Sequence, residues 1–329
     1  MTDRAEVSIV LVSFNTRDLL RECLENVRRE TRDFRAQILV VDNASADGSV
    51  EMMREEFPEV EVIPSEINLG FAGANNVALE RVEAPLVVLL NTDAFFEEGA
   101  LALAVEKMRA NERVGLAGAR LISRDGSDQP SARMFPTLMT DLFTLTGLAA
   151  RFPDSRLFGR FDRTWADNAV ASEVDWVPGA FSILRSSVLD EVGLFDEAFF
   201  LYYEEVDLCR RIKDAGHEIW YWPDVVVMHV GGESAKTLRE MDFSNSGSQL
   251  TLWRMRSALL YYRKHHGFVG GYLARLTEVV WHQLRALRNR FASDSLSVSK
   301  ARESRALARL MNVAWQETSG GRVSPPRPW

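Results

Sequence analysis

The first hundred residues alternate apolar runs of strand length with amphipathic helical segments, and no other feature constrains the fold as strongly. The runs at 7–14, 37–41 and 86–90 are short and rich in β-branched residues, as buried strands are. Between them, the segments 16–30 and 71–82 place their apolar side chains on one face of a helix. Strands that alternate with helices predict an α/β protein with a mostly parallel central sheet covered on both faces.

Polar clusters follow three of these predicted strands directly. They are Ser13-Phe14-Asn15, Asp42-Asn43 and Asn91-Thr92-Asp93. The carboxyl ends of parallel strands meet at one edge of a sheet, and ligands bind along that edge. We therefore expect the three clusters to line one ligand site.

Cysteine usage and hydropathy indicate where the protein works. Among 329 residues there are two cysteines, Cys23 and Cys209, which lie far apart and lack metal-site spacing. This usage favours a reducing compartment. The polar start of the chain does not resemble a signal peptide, and no apolar stretch reaches the ~18 residues that a spanning helix needs. We expect a cytoplasmic protein, free or peripheral on the inner face of the plasma membrane.

Charge and helix pattern divide the chain near residue 234. The net charge is −8, yet residues 251–329 carry 14 Lys and Arg against 4 Asp and Glu. This asymmetry points to an anionic partner at the C-terminal end. We predict an α/β domain at 1–234 and a region of amphipathic helices at 235–329, with a disordered tail from about residue 318.

Two apolar stripes run along the predicted C-terminal helices. The first comprises Leu252, Met255, Leu259 and Tyr262, and the second comprises Leu273, Leu276, Val280, Leu284 and Leu287. Basic helices with such stripes can lie on an anionic lipid surface. The stripes can equally pack on the α/β domain or on a second subunit, as in a homodimer. A nucleic-acid partner is disfavoured because the α/β domain is acidic and no recognition fold is present.

Asp93 and His229 are candidate metal ligands. Asp93 follows a buried strand, so its carboxylate can hold a divalent cation that bridges two phosphates. Taken alone, however, it is better explained as the cap of a following helix at 97–109. His229 ends another predicted strand, where a lone histidine is usually structural, and it gains interest only if Asp93 binds a metal.

Three carboxylates, Glu204, Glu205 and Asp207, follow the aromatic cluster at 199–203. Acidic side chains in the first turn of a helix are stabilised by its dipole, which alone can explain them. Apolar aromatic neighbours also raise the pKa of a carboxyl group, which suits a general base. On these residues alone the two explanations carry equal weight.

The segment 68–76 (NLGFAGANN) opens a predicted helix with glycines and amide side chains. Backbone N–H groups at a helix start can face an anion, although glycines there also serve packing. The segment matches neither the phosphate-loop pattern nor the spaced glycines of dinucleotide folds. Kinase and NAD-dependent dehydrogenase activities are therefore disfavoured.

Six stretches together resemble family-two inverting glycosyltransferases with a GT-A fold, specifically their rhamnosyltransferase-like branch. They are VSIVLVSFN (7–15), VVDNASADGS (40–49), NLGFAGANN (68–76), LLNTDAFF (89–96), WVPGAFSILRSSVLDEVGLFDEAFFLYYEEVDLCRRIKDAGHEIWYWP (176–223) and HVGGES (229–234). They occur in order over about seven-tenths of the chain. Each is weak by itself, whereas six in sequence are specific.

The resemblance implies a role for each matching position of the catalytic domain. Nucleotide-sugar contacts fall on Ser13, Phe14, Asp42, Gly70, Phe71, Asn76, Asn91, Thr92 and Asp93. Contacts with the donor sugar and the acceptor fall on Trp176, Pro178, Gly179 and Ala180. Asp93 and His229 are implied to hold a divalent cation, Mg²⁺ or Mn²⁺. Glu205 stands at the position of the catalytic base, and Glu204 or Asp207 can substitute for it.

Two positions depart from the usual pattern of that family. Asn91 replaces the first aspartate of the metal motif, and Glu205 replaces the usual aspartate base. The branch implies dTDP-L-rhamnose as donor, with a UDP-hexose as the alternative, and a glycan or polyprenyl-linked acceptor in cell-surface polysaccharide synthesis. A nucleotidyltransferase is disfavoured because no basic loop follows the first strand. A non-catalytic nucleotide-sugar-binding scaffold is disfavoured because the acidic residues are retained.

Overall fold

The computed structural model describes residues 4–231, 246–290 and 294–325. Its elements, in chain order, are β1 (Val7–Ser13), α1 (Arg17–Glu30), β2 (Ala36–Asp42), α2 (Ser49–Glu56), β3 (Glu61–Pro64), α3 (Gly70–Leu79), β4 (Leu86–Asn91), β5 (Ala94–Phe96), α4 (Ala100–Ala110), β6 (Val114–Ile122), α5 (Leu138–Thr146), α6 (Leu148–Arg151), β7 (Ser172–Glu173), β8 (Phe181–Arg185), α7 (Ser186–Val192), α8 (Glu204–Asp214), β9 (Glu218–His229), α9 (Ser246–Arg288) and α10 (Ser295–Glu317).

One sheet occupies the centre, with strand order β3-β2-β1-β4-β8-β6-β9-β5 and with β7 paired to β9. Strands β1 to β4 pair in parallel, as the strand–helix alternation predicts. Their register sets Ser13 beside Asp42 and Val12 beside Asn91. The three polar clusters that follow β1, β2 and β4 therefore meet at one edge of the sheet, as predicted.

The second half of the sheet is mixed. Strand β8 runs antiparallel to both β4 and β6, and β9 pairs in parallel with β6 but antiparallel with β5 and β7. The predicted α/β fold class is confirmed, although the sheet is mixed rather than mostly parallel. Strand β6 is absent from the sequence prediction, because Gly115 and Gly118 interrupt its apolar run.

Two apolar layers cover the two faces of the sheet, as alternating side chains along each strand require. Ile9 and Leu11 of β1 face the layer beneath α1, α2 and α4. Val10 faces the opposite layer, which α3, α7, α8 and α9 cover. Tyr261 and Tyr262 of α9 are almost fully buried in this second layer. The C-terminal helices thus complete the core that carries the sheet.

Helix α9 is broken at Gly267, whose φ of 69° lies in the left-handed region that glycine tolerates. The second arm, 268–288, folds back along the first arm, 246–266, so that Val279 packs with Met255 and Leu259. Helix α10 adds Met311 and Ala314 to the same small cluster. The first predicted stripe therefore packs within this chain.

The chain continues in order beyond α10. Thr318 is buried, and its hydroxyl donates to the Ala314 carbonyl. A Cβ on Gly321 would fall on the Leu259 carbonyl oxygen, so this turn lies close against α9. The residues that follow α10 thus begin with a turn that contacts α9 at Gly321, and they are described through Pro325. The predicted boundary near 234 and the end of the HVGGES stretch lie outside the described residues.

Candidate active site

A chain of buried hydroxyl groups connects the ends of β1 and β4. Ser13 Oγ lies 3.3 Å from Thr16 Oγ1, which lies 3.1 Å from Thr92 Oγ1. All three side chains are buried. Phe14 and Asn91 are half-buried beside them at the same edge of the sheet. The residues at the ends of these two strands that are predicted to bind the nucleotide thus lie together at one edge of the sheet.

Asp42, at the end of β2, keeps one carboxylate oxygen without a partner. Oδ2 accepts from the Ser45 N–H at 3.0 Å, whereas buried Oδ1 has no hydrogen-bond partner among the described residues. Burial raises the pKa of Asp42, and the hydrogen bonds from Ser45 offset this only in part. Buried polar atoms are normally paired, so an open oxygen here suits a hydrogen-bond donor of a ligand.

The start of α3 is joined to the loop that precedes α8. The Phe71 N–H donates to the Phe200 carbonyl at 2.9 Å, and Gly70, with a φ of 74°, lies directly against Phe200. Gly70 and Phe71 therefore border the site. Asn76 lies deeper, where its amide both donates to the Phe195 carbonyl and accepts from the Phe195 N–H. Its side chain thus joins α3 to the loop that contains Phe195.

Asp93 and His229 meet beside β4, as the metal hypothesis requires. His229 Nε2 lies 3.4 Å from Asp93 Oδ1. The other ring nitrogen, Nδ1, lies 2.8 Å from Gln129 Oε1, and Gln129 donates in turn to the His229 carbonyl at 2.7 Å. Gln129 thereby fixes the imidazole with Nε2 toward Asp93, an arrangement typical of metal-binding histidines.

One carboxylate and one oriented imidazole would fit a divalent cation that also takes phosphate oxygens. Within the described residues there is no cluster of three or more His, Cys, Asp or Glu side chains able to enclose a metal ion. The sequence gives no sign of the role of Gln129, because this residue lies a hundred residues from His229.

The segment 176–180 runs from this corner toward α8. The Ala180 carbonyl accepts from the Asn91 N–H at 3.0 Å, and Gly179 lies beside the Phe71 ring. Pro178 is half-buried between them and Trp176. Trp176 is buried, donates from Nε1 to the Met134 carbonyl and lines a cavity of about 270 Å³. The predicted sugar-contact residues thus lie in a line between the two ends of the site.

Five charged and four aromatic side chains line that cavity. They are Arg133, Asp141, Glu205, Arg254 and Glu278, with Phe161, Trp176, Tyr202 and Tyr203. Among the charged ones, Glu205 alone belongs to the residues predicted from sequence. The others come from α5, from the loop before it and from both arms of α9. No local motif marks them, since tertiary folding alone brings them together.

The turn before α8 directs its first two glutamates differently. Tyr202 and Tyr203 both have φ near 70°, a strained conformation that is uncommon outside glycine and clusters at functional sites. Glu204 is buried, whereas Glu205 faces the cavity. Burial raises the pKa of both carboxyl groups, and the charge of Glu205 raises that of Glu204 further. The positive charge of Arg133 lowers the pKa of Glu205 and so offsets part of this effect.

Asp207 is fully buried, and its carboxylate contacts three basic side chains. Its carboxylate lies 2.9 Å from Arg211 Nε, 2.8 Å from Lys264 Nζ and 2.7 Å from His265 Nε2. Burial raises the pKa of Asp207, but the hydrogen bonds from His265 and Lys264 outweigh it and leave the pKa below its ordinary value. Asp207 therefore ties α8 to α9.

Several known proteins are similar to this chain in sequence. The family model described as glycosyl transferase family 2 matches residues 8–191. An N-acetylglucosaminyl-diphospho-decaprenol L-rhamnosyltransferase of Mycobacterium tuberculosis is 27% identical over 203 residues, which are 58% of this chain and 66% of that relative. The chain thus spans slightly less than two thirds of that relative. Rhamnosyltransferase WbbL of Escherichia coli K12 is 23% identical over 266 residues, 78% of this chain and 92% of its own.

Solved structures share the fold at low sequence identity. The mannosyltransferase PcManGT of Pyrobaculum calidifontis, in complex with GDP-Man and Mn²⁺, aligns with a TM-score of 0.55 at 17% identity over 95% of this chain and 87% of its own. GalNAc-T7 with UDP, GalNAc and Mn²⁺ gives the same TM-score at 13% identity over 98% of this chain and 59% of its own. The GT-A fold predicted from the sequence is confirmed.

Proposed function

The chain belongs to glycosyl transferase family 2, and on that premise we propose that it is an inverting, metal-dependent rhamnosyltransferase. The donor is dTDP-L-rhamnose, and the acceptor is a glycan or lipid-linked glycan of cell-surface polysaccharide synthesis. Two relatives named as rhamnosyltransferases support this choice of donor. One of them is named for a sugar-diphospho-polyprenol substrate, which supports the choice of acceptor.

The main support for the proposal is the position of Glu205 relative to the edge of the sheet that is expected to bind the nucleotide. Its carboxylate opens into the cavity of about 270 Å³, whereas Asp93 and His229 lie at the other end of the segment 176–180. A donor bound along that segment has its diphosphate at the metal end and its sugar toward Glu205. An acceptor hydroxyl in the cavity then approaches from the face opposite the diphosphate.

One displacement follows from this geometry. Glu205 accepts the proton of the acceptor hydroxyl while the hydroxyl oxygen forms a bond to the anomeric carbon of rhamnose. The bond between that carbon and the diphosphate oxygen breaks, and dTDP leaves with the electron pair. Attack and departure on opposite faces invert the anomeric centre, and no covalent enzyme intermediate is required.

The remaining site residues bind the donor and its leaving group. Asp93 and His229 would hold the divalent cation, Mg²⁺ or Mn²⁺, which would supply positive charge next to the leaving diphosphate. Ser13, Thr92 and the open oxygen of Asp42 face the nucleoside. Glu204 is buried away from the cavity lining and Asp207 is held by Arg211, Lys264 and His265, so Glu205 is the base.

A donor and product assay tests this function. The purified chain is incubated with Mn²⁺ and either dTDP-L-rhamnose or UDP-hexoses, with hexyl-diphospho-N-acetylglucosamine as acceptor. We expect transfer from dTDP-L-rhamnose alone, an inverted anomeric configuration by NMR, and loss of transfer in Asp93→Ala. Transfer from a UDP-hexose instead would refute the donor assignment. Equal rates with Mn²⁺ and with a chelator would refute the metal.

The chain also carries a surface suited to an anionic membrane. Six aliphatic side chains on the second arm of α9 fall on one helical face and are 37–65% exposed: Val269, Leu273, Leu276, Val280, Leu284 and Leu287. Beside this exposed stripe, Arg290, Arg305 and Arg309 line a groove of about 700 Å³, and no acidic residue is among its described lining residues. Apolar and basic groups together favour anionic lipid over a second copy of the chain.

Peripheral binding by the exposed stripe places the enzyme on the inner face of the plasma membrane, where a lipid-linked acceptor is anchored. Within the described residues, no helix is both long and apolar enough to cross a bilayer.

A further inference from the structure

The cavity beside Glu205 is closed by residues that lie beyond the part of the chain matched by the family model. That match ends at residue 191, whereas Arg254 and Glu278 lie on the two arms of α9. The break at Gly267 folds the second arm back, so both side chains reach the same cavity. The C-terminal helices thus contribute directly to the wall of the site as well as to the core.

Glu278 carries an unused hydrogen-bond acceptor at this wall. Its Oε2 is buried and has no partner among the described residues. Asp141, on the same cavity, differs because its carboxylate accepts the Tyr262 hydroxyl at 2.6 Å. An unpaired buried carboxylate oxygen is costly, and a ligand that donates a hydrogen bond removes that cost.

Aromatic rings supply the other wall. Trp176 and Phe161 lie 6.0 Å apart, and the Arg133 guanidinium covers both rings at 5.1 Å and 5.5 Å from their centroids. Tyr202 lies on the same cavity. A pyranose fits such a cavity, because the aromatic rings can pack against its C–H groups. The carboxylates on the opposite wall can accept hydrogen bonds from its hydroxyl groups. The volume, near the lower end of ligand pockets, suits one sugar ring and not a chain.

The charges disfavour a phosphate as the occupant. Three carboxyl groups, Asp141, Glu205 and Glu278, face the cavity, against the two arginines Arg133 and Arg254. Arg133 is already engaged with Asp162 at 3.1 Å. A doubly charged phosphate would meet net repulsion, whereas a neutral sugar gains hydrogen bonds from both kinds of group.

We propose that α9 supplies the acceptor-sugar subsite, with Glu278 accepting hydrogen bonds from hydroxyls of the acceptor's sugar and Arg254 donating to them. Held in this way, the sugar presents one chosen hydroxyl to Glu205. Glu278 and Arg254 are therefore specificity-determining residues. This inference rests on the proposed function, since it names the sugar of the acceptor as the group that this cavity binds.

Two probes isolate the contribution of the sugar. Isothermal titration calorimetry measures the binding of hexyl-diphospho-N-acetylglucosamine and of hexyl diphosphate, which lacks the sugar, both with dTDP and Mn²⁺ present. The parent is expected to bind the sugar-bearing probe at least about 10-fold more tightly, given the strength of hydrogen bonds to charged groups. Glu278→Gln and Arg254→Gln should each reduce that ratio at least about fivefold, while the Kd for dTDP stays unchanged.

Glu303→Gln is the matched control, because this glutamate lies on α10 in an exposed pair with Arg285. It should keep the parental ratio. Arg254 is exposed, so its variant tests the subsite even if Glu278→Gln does not fold. Equal binding of the two probes by the parent, or a parental ratio in both variants, overturns the subsite. A ratio that depends on Glu278 without any rhamnose transfer supports the subsite and refutes the donor assignment instead.

Discussion

Glu205 differs from its two acidic neighbours in what surrounds its carboxylate. It opens into a cavity, Glu204 is buried outside that lining, and Asp207 is bound by Arg211, Lys264 and His265. Glu205→Gln keeps size and hydrogen bonding but removes the proton acceptor. Turnover should fall roughly 10²–10⁴-fold while dTDP-L-rhamnose affinity persists. Steady-state transfer and calorimetric donor binding, measured side by side with Glu204→Gln, check this. If Glu204→Gln is the inactive variant, the base assignment is wrong.

The pH dependence of transfer gives a second readout of the same residue. The base must be unprotonated, and burial raises the pKa of Glu205 above its ordinary value of 4.5. The rate should therefore fall with decreasing pH already at a pH above 4.5. The Arg133 charge lowers the pKa of Glu205, so Arg133→Gln should move this acid limb to still higher pH. A limb that stays in place would mean that another group is titrating.

At the scale of elements, Gly70 couples the start of α3 to the loop before α8. Its φ is 74°, and an added Cβ would overlap the Phe200 carbonyl and ring. Gly99 has a φ of 76° but open space around it, which makes it a matched control. Gly99→Ala should lower the free energy of unfolding by about 1–2 kcal/mol, the cost of the left-handed conformation. Gly70→Ala should cost about 1–3 kcal/mol more through overpacking.

Activity separates the two glycine variants further. Because Phe200 leads through Tyr202 and Tyr203 to Glu205, displacement of this loop should lower kcat in Gly70→Ala and leave Gly99→Ala close to the parent. Urea unfolding and steady-state transfer measure the two effects. Equal losses of unfolding free energy in Gly70→Ala and Gly99→Ala would show that Phe200 moves aside without a cost in stability.

The ion pairs of Asp207 are the second link between elements. Removing a buried charge strands its partners, so Asp207→Asn should lower the free energy of unfolding by roughly 3 kcal/mol, as for other buried pairs. Asp214→Asn breaks an exposed pair with Arg210 on the same helix and should change stability by at most about 0.5 kcal/mol. Urea denaturation measures both. A large loss of unfolding free energy in both variants would contradict the interpretation that the buried ion pairs of Asp207 stabilise the contact between α8 and α9.

Sequence patterns predicted the parallel strands and the polar edge, because alternation and strand-end clusters are local signals. They did not predict β6, whose glycines hide its pattern, or the reversal of α9 at Gly267. For the same reason they missed Arg133, Gln129, Arg254 and Glu278, which reach the site through contacts distant in sequence. The hydrogen bonds of the Asn76 amide with Phe195 could not be predicted either, because the two residues lie far apart in the sequence.

For the molecule as a whole, the C-terminal helices belong to the core and also carry the surface proposed to bind lipid, and deletion cannot separate the two. Tyr261 and Tyr262 belong to the core beneath the sheet, so removing 246–329 would open that core. A test of membrane binding therefore has to alter the exposed stripe alone. The first predicted stripe is buried within the chain, whereas the second is exposed, so only the second is open to an external partner.

Substitutions confined to the exposed stripe test the lipid partner directly. Replacing Leu276, Val280 and Leu284 by serine removes apolar area that would enter the lipid, and binding to phosphatidylglycerol-rich vesicles should fall about 10–100-fold in sedimentation assays. Arg305→Gln with Arg309→Gln should weaken binding about 10-fold at low salt. This second effect should disappear at high salt, where screening removes the attraction.

The matched control uses Leu157→Ser with Val170→Ser, two aliphatic residues as exposed as those of the stripe but distant in sequence from α9. This variant should sediment with vesicles like the parent, because scattered apolar residues do not form a lipid-binding face. Analytical ultracentrifugation supplies the opposing outcome. If the serine variant of the stripe converts a dimer into a monomer and leaves vesicle binding unchanged, the exposed stripe is covered by a second copy of the chain. The arginine groove then serves another ligand, and the enzyme reaches its acceptor without this surface.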